Sequence, residues 1–136
     1  MEYTDLAREI FKKDRYATGL TGIVIDHVDN HEAVCTMKVT EHHCNARKVA
    51  MGGALFTLAD FSAAVAANSD SLADEDLHWV SLESNIHYLS PAPLGSILRA
   101  TSLTLKHGRT TALYQTIIES PDKGRVAVVE TTMIYV

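Results

Sequence analysis

The sequence predicts an α+β fold in which an antiparallel sheet wraps around one central helix. The stretch 51–70 is composed almost wholly of small and apolar residues. Segments with strand character precede and follow it, separated by turn signals, without the strand-helix alternation of a parallel doubly wound sheet. Because a helix that is apolar on every side is buried, we expect the sheet to cover this one.

A covering helix and a hairpin are predicted before the central helix. Residues 4–15 carry the apolar stripe of a short amphipathic helix that packs onto the fold. Segments 22–28 and 33–39 read as strands joined across the turn-forming residues 29–31. Residues 41–50 follow neither periodicity, and we expect a loop there.

Four strands are predicted after the central helix. The pattern between residues 80 and 135 is that of strands, with turn signals at 91–95, 107–109 and 121–124. Two strands before the helix and four after it suggest a two-layer design with the helix against the sheet.

Composition and charge exclude several classes of protein. The chain has 136 residues, 46% of them hydrophobic, and we expect a single domain over 1–136. A formal charge of −5 argues against a nucleic-acid partner. No stretch is long and apolar enough for a membrane span. With two cysteines and no secretory leader at its start, the protein is expected to be cytoplasmic.

One charged residue interrupts the apolar helix at its centre. Asp60 lies among alanine, leucine and phenylalanine residues. A buried carboxylate without partners costs on the order of several kcal/mol, so Asp60 has either a structural partner or a chemical role. The structural alternative is a cap by Thr57 or Ser62, or a basic partner from a strand. The functional alternative is a general base or nucleophile, because apolar surroundings make a carboxylate a stronger base.

Two glycines follow Met51 at the start of the same helix. The first N–H groups of a helix have no partner within it and carry the positive end of its dipole. Because Gly52 and Gly53 lack side chains, a ligand can approach these N–H groups. Two interpretations stay open at this point: a plain junction between loop and helix, and an oxyanion hole for a carbonyl oxygen.

The remaining polar clusters give weaker indications. The run 42–44 contains two histidines and a cysteine, but adjacent residues on an extended chain point to opposite sides, so we expect no metal site. Basic residues gather at 47–48, 106–109 and 123–125. Solvated turn charges are their default explanation, and binding of a ligand's phosphates is the alternative.

Several segments together resemble the hotdog-fold acyl-CoA thioesterases of the phenylacetate-degradation type. They are 43–45 (HCN), 51–60 (MGGALFTLAD), 80–83 (VSLE), 88–95 (YLSPAPLG) and 106–109 (KHGR). The resemblance covers nearly all of the chain after the first predicted helix. It implies a long central helix wrapped by a curved antiparallel sheet, an acyl-CoA substrate and no cofactor.

The resemblance also implies roles for individual residues. Asp60 would be the catalytic carboxylate, and Ser81 would help to place the attacking water. Asn45 and the Gly52 N–H would orient and polarise the thioester carbonyl.

The same resemblance implies the substrate contacts and reveals one departure. Lys106 and Arg109 fall where the family's hairpin approaches coenzyme A, and Met51 and Gly53 are the substrate-binding positions beside the oxyanion hole. The family usually has histidine immediately before the two glycines, where this chain has Met51. A thioether cannot donate a hydrogen bond as imidazole can.

Spacing along the helix predicts an oligomer. Gly52 and Asp60 are about 12 Å apart along a helix axis, so one subunit cannot bring both to one carbonyl carbon. Two antiparallel helices across a two-fold axis would bring Gly52 of one chain beside Asp60 of the other, in a homodimer or a pair of dimers.

Two alternatives to a thioesterase stay open. One is an acyl-CoA binding or sensing protein without catalysis. The other, less well matched, is a hydratase, which would pair a histidine with an acid.

Overall fold

The chain folds into two layers, in which one long helix packs against one sheet. Short helical turns connect some of the helices and strands. The structure is a computed structural model that describes residues 2–136. Its helices and strands are α1 (Tyr3–Phe11), β1 (Val24–Asp29), β2 (Glu32–Lys38), α2 (Gly52–Ala67), β3 (Trp79–Tyr88), β4 (Ile97–His107), β5 (Thr111–Ser120) and β6 (Gly124–Tyr135). Helical turns occupy Arg15–Leu20, Glu41–His43 and Ser69–Asp74.

The six strands form a sheet in which their order differs from their order in the chain. The two strands before α2 and the four after it confirm the sequence prediction. All six form one antiparallel sheet in the order β1-β2-β4-β5-β6-β3. This is the predicted hotdog fold. Strand β3, the first after α2, pairs with β6 and forms one edge of the sheet, which the sequence did not predict.

Helix α2 lies against the sheet through its small residues. Side chains of Ala59, Ala63, Ala66 and Ala67 are fully buried, so the helix backbone approaches the strands closely. Beneath it, the buried Ser102 hydroxyl donates to the Ser62 hydroxyl at 2.9 Å and is 2.6 Å from that of Thr116. These bonds satisfy the hydroxyl groups that burial removes from water.

The prediction that α2 is buried on every side is wrong for one stripe. Thr57, Asp60 and Ala64 remain partly exposed, and Gly53 is exposed. The sheet of one chain curves around only part of the helix, and the amino-acid pattern does not distinguish burial by this sheet from burial by a partner. Asp60 is therefore not sealed in an apolar interior within one chain.

Strand β3 runs antiparallel to α2 and is bonded to it at three places. At the helix end, the Asn68 amide donates to the Trp79 carbonyl at 3.0 Å and accepts from the Trp79 N–H at 3.0 Å. Ser81 contacts the helix at its middle and Tyr88 contacts it at its start. The edge strand thus contacts the helix at its end, its middle and its start.

Helix α1 covers the opposite edge of the sheet. The Thr4 hydroxyl accepts from the Val28 N–H at 2.9 Å and donates to the Val28 carbonyl at 3.3 Å. Arg8 donates to the carbonyls of Ile25 and Asp26 at 2.9 and 3.1 Å. The helix ends at Phe11 rather than at residue 15. No helix in residues 2–136 has both the length and the apolar character that crossing a membrane requires.

Candidate functional site

Asp60 is held by one hydroxyl on the open stripe of α2. The Ser81 hydroxyl donates to the Asp60 carboxylate at 2.8 Å. A bulge in β3, between Ser81 and Glu83 opposite Met133 and Thr132, sets the direction in which Ser81 points. One carboxylate oxygen is thereby oriented, and the other has no hydrogen-bond partner within residues 2–136.

A cleft of about 340 Å³ opens beside this carboxylate. Its walls come from α2 and from the turn Arg15–Leu20, whose Arg15 and Tyr16 side chains line it with Thr57. Asp14 lines the same cleft, and its partial burial raises the pKa of that carboxyl. Two aspartates therefore line the cleft, Asp60 on α2 and Asp14 directly before the helical turn.

The start of α2 presents backbone donors. Met51 occupies the N-cap position without a side-chain hydrogen bond to the helix, and its carbonyl accepts from the N–H groups of Ala54 and Leu55 at 2.9 and 3.2 Å. The N–H groups of Gly52 and Gly53 have no backbone partner within residues 2–136. Two donors at the positive end of the helix dipole are consequently available.

Asn45 lies in the loop that leads into this helix. Its side-chain oxygen accepts from the Arg47 N–H at 2.9 Å, and its backbone N–H donates to the Val49 carbonyl at 2.9 Å. The loop closes on itself, since Cys44 pairs with Ala50. Among the described residues the Asn45 amide NH₂ has no acceptor, so it is available to a ligand.

Lys106 and Arg109 lie at the other end of α2. Lys106 is near the end of β4 and Arg109 is in the turn to β5, both exposed and without an ion pair among residues 2–136. Between them, His107 stacks on His31 with ring centroids 3.9 Å apart. His31 in turn contacts the Asp70 carboxylate at 2.9 Å, just beyond the helix end.

The predicted site residues therefore form three groups in one chain. Asn45, Met51, Gly52 and Gly53 gather at the start of α2, Ser81 joins Asp60 at its middle, and the two basic side chains lie beyond its end. The helix has 16 residues and is about 24 Å long at 1.5 Å per residue. A single chain does not bring the three groups to one point.

Histidine and cysteine side chains contribute little to this region. The His43 ring accepts from the Thr40 N–H at 2.9 Å, and its Nε2 is 2.7 Å from the Thr21 carbonyl, so both ring nitrogens are engaged. Burial raises the pKa of the Cys35 thiol to about 12, which keeps it protonated. Within residues 2–136, no three His, Cys, Asp or Glu side chains form a group suited to a metal ion.

Sequence reasoning missed Tyr88 as a component of the helix start. Its hydroxyl donates to the Gly52 carbonyl at 3.1 Å. The segment 88–95, which contains Tyr88, is part of the family resemblance, but the contact with Gly52 depends on where β3 joins the sheet. The one indication in the sequence is Gly52 itself, because a glycine at a helix start leaves room for a side chain from another element.

A central helix wrapped by a six-stranded antiparallel sheet defines the class of hotdog-fold proteins. The candidate site of this chain combines a double-glycine helix start with an open carboxylate. The model of the thioesterase superfamily matches residues 48–127, and the chain belongs to this family.

Two thioesterases are similar to this chain over most of its length. The acyl-coenzyme A thioesterase PaaI of Escherichia coli K12 is 35% identical over 121 residues, covering 89% of this chain and 82% of that protein. The solved structure of E. coli PaaI, from the phenylacetic acid degradation operon, superposes with a TM-score of 0.86 at 28% identity, covering 99% of this chain and 96% of that one. A hypothetical thioesterase of Streptococcus pneumoniae TIGR4, solved with coenzyme A, gives a TM-score of 0.82 at 26% identity over 93% of this chain and 96% of that one.

Proposed function

We propose that the protein hydrolyses an acyl-CoA thioester to the free acid and coenzyme A. The observation that carries this proposal is the Ser81 hydroxyl at 2.8 Å from Asp60, which orients a carboxylate on an open stripe of α2. A carboxylate held in this way can take a proton from water or attack a carbonyl itself. Membership of the thioesterase superfamily and similarity to E. coli PaaI, an acyl-coenzyme A thioesterase, support the same reaction.

The catalytic unit is a homodimer, alone or in a pair of dimers. Gly52 and Asp60 are eight residues apart on one helix, about 12 Å along the axis. Two α2 helices that run antiparallel across a two-fold axis bring Gly52 of one chain to Asp60 of its partner. The free edge of β3 supports this assembly, because an edge strand with exposed Val80 and Leu82 is a template for pairing.

Each composite site divides the work between two chains. Asn45 and the Gly52 N–H of one chain hold the thioester carbonyl oxygen and stabilise the charge that develops on it. Asp60 of the partner, positioned by Ser81, removes a proton from water as the water oxygen bonds to the carbonyl carbon. The carbon–sulfur bond then breaks, and the coenzyme A thiolate leaves and takes up a proton. In the covalent variant, the Asp60 carboxylate attacks first and water releases the acid from the resulting anhydride.

Substrate binding uses the ends of both helices. In the antiparallel arrangement, the end of the partner's helix lies beyond Gly52, so its Lys106 and Arg109 approach the same site. Both are exposed and without an ion pair in residues 2–136, which suits contacts to the phosphates of coenzyme A. Met51 and Gly53 line a cleft of about 540 Å³ at the helix start, where the acyl thioester would lie.

The proposal includes a single domain and a cytoplasmic location. Residues 1–136 act as one catalytic domain. Both cysteines are free thiols, which suits the reducing cytoplasm.

The rival function is acyl-CoA binding without hydrolysis. Met51 favours it, because this exposed side chain gives no hydrogen bond at the helix start. The oriented Asp60 favours the enzyme.

The test is release of free coenzyme A from a panel of aryl and aliphatic acyl-CoAs. We expect Asp60→Asn to lower turnover by ~10²-fold or more, because the amide is nearly isosteric but cannot act as a base. Asp122→Asn, in an exposed turn of the described chain, is the matched control and should keep wild-type turnover. Wild-type turnover in a folded Asp60→Asn protein would refute the role of Asp60.

A further inference from the structure

Tyr88 is a side chain of β3 that reaches the start of α2. Its hydroxyl donates to the Gly52 carbonyl at 3.1 Å. A Cβ atom placed on Gly52 would lie 2.9 Å from the Tyr88 Oη and 3.0 Å from its Cζ. Real Cβ atoms do not approach other heavy atoms this closely, so the absence of a side chain at Gly52 makes room for the phenol.

Apart from the backbone hydrogen bonds of the helix itself, few contacts fix the peptide planes in the first turn of α2. Met51 provides no side-chain cap, and a Cβ on Gly53 would meet nothing within 4 Å. Two consecutive glycines allow more backbone freedom than any other pair of residues. The Thr57 hydroxyl binds the Gly53 carbonyl at 2.9 Å from within the same helix, whereas Tyr88 connects the turn to the sheet.

Strand β3 gives Tyr88 a rigid support. Its residues pair with β6 from Trp79–Tyr135 through Tyr88–Ala127. The next residue, Leu89, donates its N–H to the Val126 carbonyl at 2.8 Å. The sheet therefore fixes the backbone that carries the phenol, and the phenol connects the Gly52 carbonyl to this strand.

The bonded carbonyl belongs to the same peptide unit as the Gly53 N–H. When the oxygen of a peptide accepts a hydrogen bond, the N–H of that peptide becomes a stronger donor. We propose that Tyr88 is a positioning residue: it holds the Gly52–Gly53 peptide plane so that the Gly53 N–H serves, beside the Gly52 N–H, as a second donor to the thioester oxygen. This inference rests on the proposed thioester hydrolysis and adds a residue and a donor to it.

The variant that tests this inference is Tyr88→Phe, which removes one oxygen and keeps the ring. Loss of a whole oxyanion donor costs ~10²–10³-fold in kcat, and a peptide-mediated hydrogen bond changes donor strength by roughly 10–30%. We therefore expect kcat to fall about 5-fold and KM to stay within about 2-fold. Tyr135→Phe is the matched control, since Tyr135 packs on Trp79 near the other end of the helix with ring centroids 5.4 Å apart. Its turnover should equal that of the wild type.

A spectroscopic measurement separates positioning from mere support of the fold. The probe is a ketone analogue of the best acyl-CoA substrate, with CH₂ in place of the thioester sulfur and a ¹³C-labelled carbonyl. Binding to wild type should lower the carbonyl stretching frequency, and Tyr88→Phe should return it part of the way toward the free value. Tyr135→Phe should match wild type.

The outcomes distinguish this inference from the function on which it rests. A wild type that releases no coenzyme A and leaves the carbonyl frequency unshifted contradicts the hydrolysis and the inference together. An active wild type with an unchanged frequency in Tyr88→Phe contradicts the inference alone, whether kcat is retained or falls together with thermal stability.

Discussion

Asp60 belongs to an apolar helix but lies on the side of that helix that the sheet leaves open. Its neighbours Ala59 and Phe61 are buried, but the carboxylate lies at a cleft and accepts one hydrogen bond from Ser81. A fully buried carboxylate would need more partners to remain ionised. Partial exposure in one chain leaves the Asp60 carboxylate open to water, which a substrate or a partner chain would exclude.

Met51→His tests whether the backbone donors are sufficient. If Gly52 and its neighbour already stabilise the oxyanion, adding an imidazole should change turnover by less than about 10-fold. The measurement is coenzyme A release by both proteins across the same acyl-CoA panel. A wild type that binds acyl-CoA without hydrolysing it, together with a gain of ~10²-fold or more in Met51→His, would favour the binding protein instead.

Residues of the candidate site differ in how visible they are in the sequence. Asp60 stands out because a charge interrupts an apolar run, and the double glycine stands out because it opens that run. Tyr88 is 36 positions from Gly52, and no local pattern connects them. Their contact exists because β3 crosses to the far edge of the sheet, which is a property of the whole topology.

At the scale of elements, α1 protects one edge of the sheet. Thr4 satisfies both backbone groups of Val28, which is buried. Thr4→Val keeps the side-chain shape and leaves these groups unpaired, so we expect a loss of about 1–3 kcal/mol in the free energy of unfolding. Urea unfolding followed by the fluorescence of Trp79, the single tryptophan, measures it.

Thr18→Val is the control for this loss. The Thr18 hydroxyl donates to the Asp14 carbonyl at 2.9 Å in an exposed turn, and its removal should change stability by no more than about 0.5 kcal/mol. Equal effects of the two substitutions would show that α1 does not protect the edge of β1.

His107, near the end of α2, makes the stability of the fold depend on pH. Burial, and then the stacked His31, lower the pKa of His107, which also contacts Trp79 and Tyr114 and lies near Asp70. Because the folded-state pKa is below the unfolded value near 6.5, unfolded chains bind the proton first as pH falls. The contribution of His107 to the free energy of unfolding is therefore fully present above the unfolded-state pKa near 6.5. It is lost as the pH falls from there toward the folded-state pKa.

Urea midpoints measured between pH 7.5 and 5.5 test this sign. We expect the midpoint to fall with pH in wild type and to fall less in His107→Gln, which cannot be protonated in this range. Identical pH slopes for the two proteins would exclude His107 as a source of the acid sensitivity.

Elements were predictable where their pattern is local. The periodicity of residues 80–135 and its turn signals predicted four strands, and four are present. The helical turn Arg15–Leu20, sequence RYATGL, has no apolar period and was missed. The strand order could not be predicted, because pairing of β3 with β6 joins segments that are distant in sequence.

At the scale of the molecule, one chain contains all the parts of the site and separates them along α2. Asn45 and Gly52 are at its start, Asp60 is at its middle, and Lys106 and Arg109 are beyond its end. The sheet has one edge covered by α1 and one edge, β3, with exposed Val80 and Leu82. The proposed assembly with a second copy of the chain would bring these parts together.

Mixing two inactive variants tests whether the active site is shared between two chains. Asp60→Asn and Asn45→Ala subunits, combined in equal amounts and allowed to exchange, form hybrid dimers in which one site has both Asn45 and Asp60 intact. Random pairing makes half of the dimers hybrid, so about a quarter of wild-type coenzyme A release should return. The control mixes Asp60→Asn with the double variant, which creates no intact site. Activity that stays at the level of the separate variants, while mass spectrometry detects hybrid dimers, would contradict a site shared between chains.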